Sequence, residues 1–539
     1  MMVPTKQLPG LPSLVLDYFY DYDKVGEFYS GNFREPAAFE HLAESVRSRS
    51  LPREKLASIL KAQNQEYGCG SRTLDHIDSL SDEKTCAVVT GQQVGLFSGP
   101  LYTIHKSLTT IKLAQYLDQT CEGRFVPVFW LASDDHDFEE INHIHVLDKT
   151  SQIEKIQCSS ETSCDKIPAS NILLTEDVDR CLQQLDASTH DSDFKQEVLS
   201  DLKKAYQPGR SYARAFAMWM TRLFKSRGLV FIDASHPDLK ALGKHVFYQE
   251  VADESPSTQR ALEASKKLQD KNYKNQIQLH QGILNVFYSE HERQTIKTDG
   301  GNFHIRDIER TVTKDELLTQ VEERPHLFSP NVLLRPIYQD ALLPTVAYVA
   351  GPGEIAYFAQ MKGVYEYFGF PMPIIYPRKT ITLLEKKVDR VLSRNALHIQ
   401  DMWRTVDRTI AEIAQSQIPT SIDNALKAAK THLERNFTSI KQEAVAFEPT
   451  LGNAVDVTFG KMNHQFQSLE KKIRQASKRK SALLAQQIQK AHHNLYPNNR
   501  LQERVLNITP FLIKYSYALM DRLFKAVDIN CHDHQVVSL

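Results

Sequence analysis

Several short runs concentrate the side chains able to move protons or hold oxyanions. Thr90-Gly91-Gln92-Gln93 leads through Gly95 and Gly99 to Pro100, Tyr102 and His105. A glycine-bearing turn before a helix N-terminus offers free N–H groups and the positive end of the helix dipole to a phosphate or carboxylate. Ser133-Asp134-Asp135-His136-Asp137 follows, with Glu139, Glu140, Asn142, His143 and His145 close behind. Carboxylates and imidazoles at this density suit proton transfer, or ligation of a divalent ion. No HExxH spacing accompanies them, and Asp at a strand end also caps the next helix, so no metal ligands are assigned. Ser235-His236 and the turn Gly351-Pro352-Gly353-Glu354 are further polar points, and Arg335 and Arg378 have the guanidinium geometry that grips carboxylate or phosphate in two places.

These runs need elements to position them, and each follows a short apolar stretch. Cys86 to Val89, Phe125 to Ala132, Gly228 to Asp233, Leu342 to Ala350 and Pro373 to Tyr376 read as strands buried on both faces. After the first, Leu101, Ile104, Leu108 and Ile111 recur at 3, 4, 3 spacing, the packed face of a helix, with Pro100 suited to its first position. Tyr102, His105 and Thr109 fall on the neighbouring stripe and are expected to edge a crevice. A strand, helix, strand unit is parallel and right-handed, and its ligands lie at the carboxyl ends. The expectation is an α/β fold with a Rossmann-like doubly wound parallel sheet. N-terminal helices and the first half of the core occupy 1–148, an insertion 149–207, more core 208–255, a small β-rich insertion 256–328, the second half of the core 329–382, a helical antiparallel coiled coil 383–506, and a segment returning to the core 507–539.

The coiled-coil expectation comes from a change after Leu383, where glycine becomes scarce and apolar residues take helical spacing, as in Val406, Ile410 and Ile413. Phe459, Met462, Phe466, Leu469, Ile473 and Ala476 form a heptad seam. Pro419, with Ser421 or Asp423 as a cap, and Pro449 separate three helical arms. Lys471, Lys472, Arg474, Lys478, Arg479 and Lys480 make a basic run, read as a solvated face or a phosphate-binding flank. No aromatic residues interleave with them as a nucleic-acid platform requires.

In 539 residues, 65 Lys and Arg balance 66 Asp and Glu, which removes any global electrostatic case for nucleic acid or membrane. The start, MMVPTKQLPGLPSL, carries no basic and apolar leader, and no long apolar run follows, so a cytoplasmic protein is expected. Seven cysteines without CxxC spacing fit reduced thiols rather than a disulfide framework or zinc ribbon.

Thr90-Gly91-Gln92-Gln93 and Gly99-Pro100-Leu101-Tyr102-Thr103-Ile104 with Lys106 resemble the first signature of the BshC cysteine ligase family of bacillithiol biosynthesis. Phe129 to Ala132 with Asp135 to Phe138 and Glu140 to Asn142 agree with it as well. So do Phe328 to Val332 with Leu334 to Pro336, then Gly351 to Tyr357, and finally Leu501 to Arg504. Ser133 and Ser98 depart from the pattern, the latter standing where glycine is commoner. The resemblance implies a Rossmann-like core similar to nucleotidyltransferases and class I aminoacyl-tRNA synthetases, two insertions, and a coiled coil making a homodimer. It implies a ligase joining cysteine through its carboxyl to the amine of glucosaminyl malate, with ATP as the expected activator, ADP as a product and a divalent metal left open. His105 is then expected to donate to developing negative charge, Asp135 or Asp137 to orient or deprotonate the amine, and His136 to serve as alternate base. Thr90, Gly91, Gln92, Gln93, Gly99, Tyr102, Arg335, Gly351, Gly353, Glu354, Arg378 and Arg504 are expected to bind substrate or nucleotide. The plainer alternatives are that His105 packs at the helix edge, that Asp134 or Asp135 only caps a helix, and that either arginine is a buried ion-pair partner. Two other functions remain open: a nucleotide-binding dimerisation scaffold without catalysis, and a nucleotidyltransferase acting on another small acceptor.

Overall fold

Five apolar stretches become the strands β1 (Thr85–Gln92), β2 (Arg124–Leu131), β3 (Val230–Asp233), β4 (Thr345–Ala350) and β5 (Ile374–Pro377). The computed structural model describes residues 1–160, 164, 166–306, 310–410 and 420–539, with the side chains of 420, 423, 474 and 476–481 outside that description. The five strands form one sheet in the order β5-β4-β1-β2-β3, and every neighbouring pair is parallel. Consecutive residues Cys86 to Val89 are 0% exposed. Because alternate side chains point to opposite faces, that burial means both faces are covered. The order is that of a Rossmann sheet, with the reversal of winding between β1 and β4.

Helix α1 (Tyr102–Thr120) follows β1, and its predicted stripe, Leu101, Ile104, Leu108 and Ile111, is at most 1% exposed. Its other side is buried too, which the spacing did not foretell. Thr103, His105, Ser107, Thr109 and Thr110 are all 0–1% exposed. Ser107, Thr109 and Thr110 are satisfied by donating to carbonyls four residues back, a bond that lets short polar side chains sit inside a buried helix. Pro100 lies ahead of the N-cap, Leu101, rather than at the first helical position.

The first insertion carries an antiparallel pair, His143–Leu147 with Ile153–Gln157, and helices Asp177–Ser188 and Lys195–Ala205. In the second, the strands Ile283–Ser289, Arg293–Asp299, Asn302–Ile305 and Arg310–Thr313 join Phe328–Pro330 in a five-stranded sheet whose neighbours all run antiparallel. Between the insertions lies α2 (Pro237–Ala252), and α3 (Arg335–Leu342) and α4 (Pro352–Phe358) flank β4. Met1–Leu383 and Gln502–Val537 form one unit, so the chain returns to the core at Gln502.

Leu384–Leu501 with Ser538–Leu539 form the second unit. Its helices Thr420–Phe447 and Leu451–Leu495 reverse direction around Pro449. Phe437 and Phe459 pack with ring centroids 5.2 Å apart, and Lys441 reaches Asp456 at 2.6 Å, as antiparallel neighbours must. Along the heptad seam Met462 and Leu469 are 45% and 50% exposed. Ile413, Pro419 and the side chains of Asp423, Arg474, Ala476, Lys478, Arg479 and Lys480 lie outside the described residues.

Candidate active site

The strands around the winding reversal deliver their polar turns into one cavity of ≈ 820 Å³, within the range of small-molecule sites. β1 contributes Gly91, Gln92 and then Gln93; β2 leads to Asp134 and Asp135, β4 to Gly351 and Glu354, and β5 to Arg378. Gly91 is needed for closeness, since a Cβ there would meet the Trp130 carbonyl at 3.2 Å and the Tyr348 hydroxyl at 3.4 Å. Tyr102, Arg335, Gly353 and Arg504 also line the cavity.

Cationic groups gather on the β1, β4 and β5 side. The buried Lys106 ammonium is 2.6 Å from the Glu354 carboxylate and donates to the Gly91 carbonyl at 2.7 Å. Burial pushes its pKa down, opposed by Glu354. Arg335 donates to Gln339 and to the Tyr357 hydroxyl. Arg378 is anchored from behind by Glu503 at 2.7 Å, with its guanidinium 5.6 Å from the centre of the Tyr102 ring. The β2 side is acidic. Asp134 pairs with the buried Lys240 at 2.5 Å. Asp135 accepts from Gln93 at 2.7 Å and from the His136 backbone at 2.8 Å, and lies 3.7 Å from Arg293. Glu140 lines the same wall, and burial raises its pKa.

Several expected site residues lie elsewhere. His105 is 0% exposed, with Nδ1 at 3.0 Å from Glu503. It packs beneath the cavity and presents nothing to a guest, and burial lowers its pKa. Thr109 is likewise consumed, accepting from the Lys379 backbone. Thr90 is 0% exposed and donates to the Val349 carbonyl, fastening β1 to β4. Gly99 does not face the cavity either. Phe97, Ser98 and Gly99 take three successive positive φ values, 47°, 78° and 64°, and Asn507 fixes them by donating to the carbonyls of Phe97 and Gly99. Leu101 N–H is taken by the Leu506 carbonyl. The returning C-terminal segment thus seals the helix N-terminus expected to hold an anion. The second such turn is filled from within, because Glu354 accepts the Gly351 N–H at 2.7 Å. Asp137 caps the short helix Phe138–Ile141 by accepting from Glu140 N–H. The His136 ring turns to Arg293, 3.1 Å from Nη1.

Four functional-looking groups receive no role of their own from the sequence, although Lys106, Glu140 and Glu503 lie within the motifs it offers. Lys106 stands four residues after Tyr102, on the same helical stripe, and that spacing could have found it. Glu140 follows the Asp137 cap by three. Arg293 comes from the β-rich insertion and has no local signal. Glu503 sits inside the quoted C-terminal motif beside Arg504.

The family model described as Bacillithiol biosynthesis BshC, N-terminal Rossmann-like domain, matches residues 1–379, and the one described as Bacillithiol biosynthesis BshC, C-terminal coiled-coil domain, matches 381–539. A Salinibacter ruber protein named "Putative cysteine ligase BshC" is 38% identical, with 99% of this chain and 98% of that protein covered. Proteins of the same name from Chloroherpeton thalassium and Solibacter usitatus are 35% and 32% identical, covering 96% and 99% of this chain and 94% and 99% of their own length. A Rossmann sheet with a cavity at its winding reversal, a helical C-terminal hairpin and full-length similarity together place this chain in the BshC family.

Proposed function

We propose that the protein is an ATP-dependent cysteine ligase, joining L-cysteine through its carboxyl to the glucosamine amine of glucosaminyl malate in the last step of bacillithiol biosynthesis. The observation that carries this reading is a cavity lining that brings cationic and anionic groups together: Lys106, Arg335 and Arg378 by β1, β4 and β5, and Asp134, Asp135 and Glu140 after β2, with Arg293 beside Asp135 and Arg504 acting on Glu140. Amide formation from a free carboxylate in water requires activation, so an oxyanion must be held beside an amine that must lose a proton. The arginines suit phosphate and carboxylate oxygens, and the carboxylates suit an ammonium group.

Roles follow from what each group already does. Asp135, with both oxygens engaged, is held still and orients the amine. Glu140, whose pKa is raised by partial desolvation, takes the proton as nitrogen attacks the activated carbonyl. Arg335 and Arg378 hold malate or phosphate oxygens. Tyr348, which donates to Glu354 at 2.8 Å, and the Lys106 pair keep Glu354 ionised inside the wall. The exposed seam residues Met462 and Leu469 favour a homodimer through the helical hairpin, and reduced cysteines favour a cytoplasmic site of action.

The test is reconstitution of the full chain with cysteine, glucosaminyl malate and ATP, following product by mass and the nucleotide product by chromatography. Product that requires all three supports the proposal. Nucleotide binding without turnover, or pyrophosphate release that needs a different acceptor, would replace it with a scaffold or a nucleotidyltransferase.

A further inference from the structure

The structure places two thiols and a carboxylate together in the first insertion, away from the cavity wall. Cys158 follows the strand Ile153–Gln157, and Asp177 and Cys181 stand on the first turns of the helix Asp177–Ser188. The Sγ atoms of Cys158 and Cys181 and a carboxylate oxygen of Asp177 all lie within 4.8 Å of one another. Cys158 and Cys181 are 1% and 0% exposed. Beside them stands Tyr212, 1% exposed, whose hydroxyl interacts with Cys158.

We propose that Cys158, Cys181 and Asp177 bind a thiophilic divalent cation of the zinc class, with the Tyr212 hydroxyl or a water in the fourth position. Two thiolates and a carboxylate are a donor set that such an ion takes in tetrahedral geometry. The surroundings fit this charge. A divalent ion with three anionic ligands is left at −1, and Arg180 supplies the balancing positive charge. It donates to Asp177 through Nε at 2.6 Å and Nη2 at 2.9 Å, and its Nη2 is 4.0 Å from Cys181 Sγ. Ser159 donates its N–H and hydroxyl to the same carboxylate. These contacts orient the ligand as outer partners of metal sites do. Thiols this deeply buried are poorly reached by oxidants in solution, whereas a structural cation is enclosed as the chain folds.

The site would clasp the strand end to the helix start behind the acidic flank of the cavity. Cys158 N–H donates to the Asn142 carbonyl at 2.8 Å, and Tyr212 packs edge-on against Phe138 at 5.6 Å. Losing the cation should therefore loosen the segment that carries Glu140.

The experiment loads the full chain with cobalt(II) and zinc(II) in turn, reading the sulfur-to-cobalt charge-transfer absorption and zinc affinity against a chromogenic chelator. One ion per chain is expected, with charge-transfer absorption lost in Cys158→Ser and in Cys181→Ser. Arg180→Met, which keeps all three ligands, should bind zinc about 10- to 100-fold more weakly. Should a serine variant fail to fold, zinc titration of the wild-type chain and Arg180→Met still decide. A wild-type chain that takes up no ion, absorption retained in both serine variants, or intact-mass evidence of a Cys158–Cys181 disulfide in the protein as isolated would overturn the proposal.

Discussion

Two clusters of opposed charge in this core are built for different ends. In the inner one Glu503 joins His105 and Arg378, with side-chain exposures of 1%, 0% and 3%. It also accepts the Ile381 N–H at 3.0 Å. In the outer one Arg293, 6% exposed, faces Asp135, 38% exposed, with Glu140 on the same wall. The residue types are alike, and water access separates them. Glu503 and His105 are closed off from solvent and must be satisfied permanently, so they are committed to holding β5 and the cavity-lining Arg378 in place. Charges that still meet solvent can exchange a water partner for a substrate, so the outer cluster is where chemistry is available.

The largest effect should come from the outer cluster. Glu140→Gln is expected to lower kcat by about 10²- to 10⁴-fold, the usual contribution of a positioned acid or base. It should leave the urea midpoint nearly unchanged. Because partial desolvation raises the Glu140 pKa, the acid limb of the wild-type rate profile should be displaced upward from that of an ordinary carboxylate, with rate rising as the proton leaves, and should flatten in the variant. A full-rate Glu140→Gln enzyme would erase the distinction between the clusters.

Next in size is the inner cluster. Glu503→Ala strands a buried guanidinium, and breaking such a pair costs about 3 to 5 kcal/mol, measurable by denaturant titration. Its pH dependence has a definite sign. Burial alone would raise the Glu503 pKa, but Arg378 and His105 hold it well below the usual carboxylate range. The folded pKa is thus depressed, and the stability Glu503 contributes is present above the unfolded value of about 4.3. It is lost as pH falls further toward the folded pKa. Glu503→Gln should therefore show a shallower loss of stability on acidification than the wild type. His105→Ala should act in this same register, lowering stability rather than removing a substrate contact.

A smaller effect is expected at the sealed turn. Ser98 holds φ 78°, a left-handed conformation that costs a side-chain-bearing residue about 1 to 2 kcal/mol. Its buried hydroxyl has no partner among the described residues. Ser98→Gly should stabilise the protein by about 1 kcal/mol without changing turnover. At the bottom of the scale, Lys441→Ala removes a pair with exposures of 46% and 55% on the helical hairpin. It should cost no more than about 0.5 kcal/mol by thermal unfolding. A larger loss there would mean that exposure does not rank these pairs.

The two glycine turns show how far local reading reaches. Both carry the signals of an anion-binding helix start, and neither start is open. One is closed by Asn507 and Leu506, some four hundred residues downstream, and the other by the Glu354 carboxylate from its own first turn. The arginines needed no local signal beyond their type, but Arg293 reaches Asp135 only because the β-rich insertion folds over the sheet. His105 and Thr109 look like crevice residues because a stripe on a helical projection shows what shares a face, not what covers that face.

By itself the sequence determined the five-stranded parallel core and its helical C-terminal hairpin. Runs of consecutive apolar residues, and a heptad that replaces them after Leu383, are periodic signals written locally and read from backbone geometry alone. The motifs likewise identified the family. Tertiary structure decided which polar residues meet the cavity and which are spent holding it together. Burial, and with it the ionisation of Glu140, Lys106 and Glu503, depends on what distant segments bring to each spot, and no local pattern encodes that.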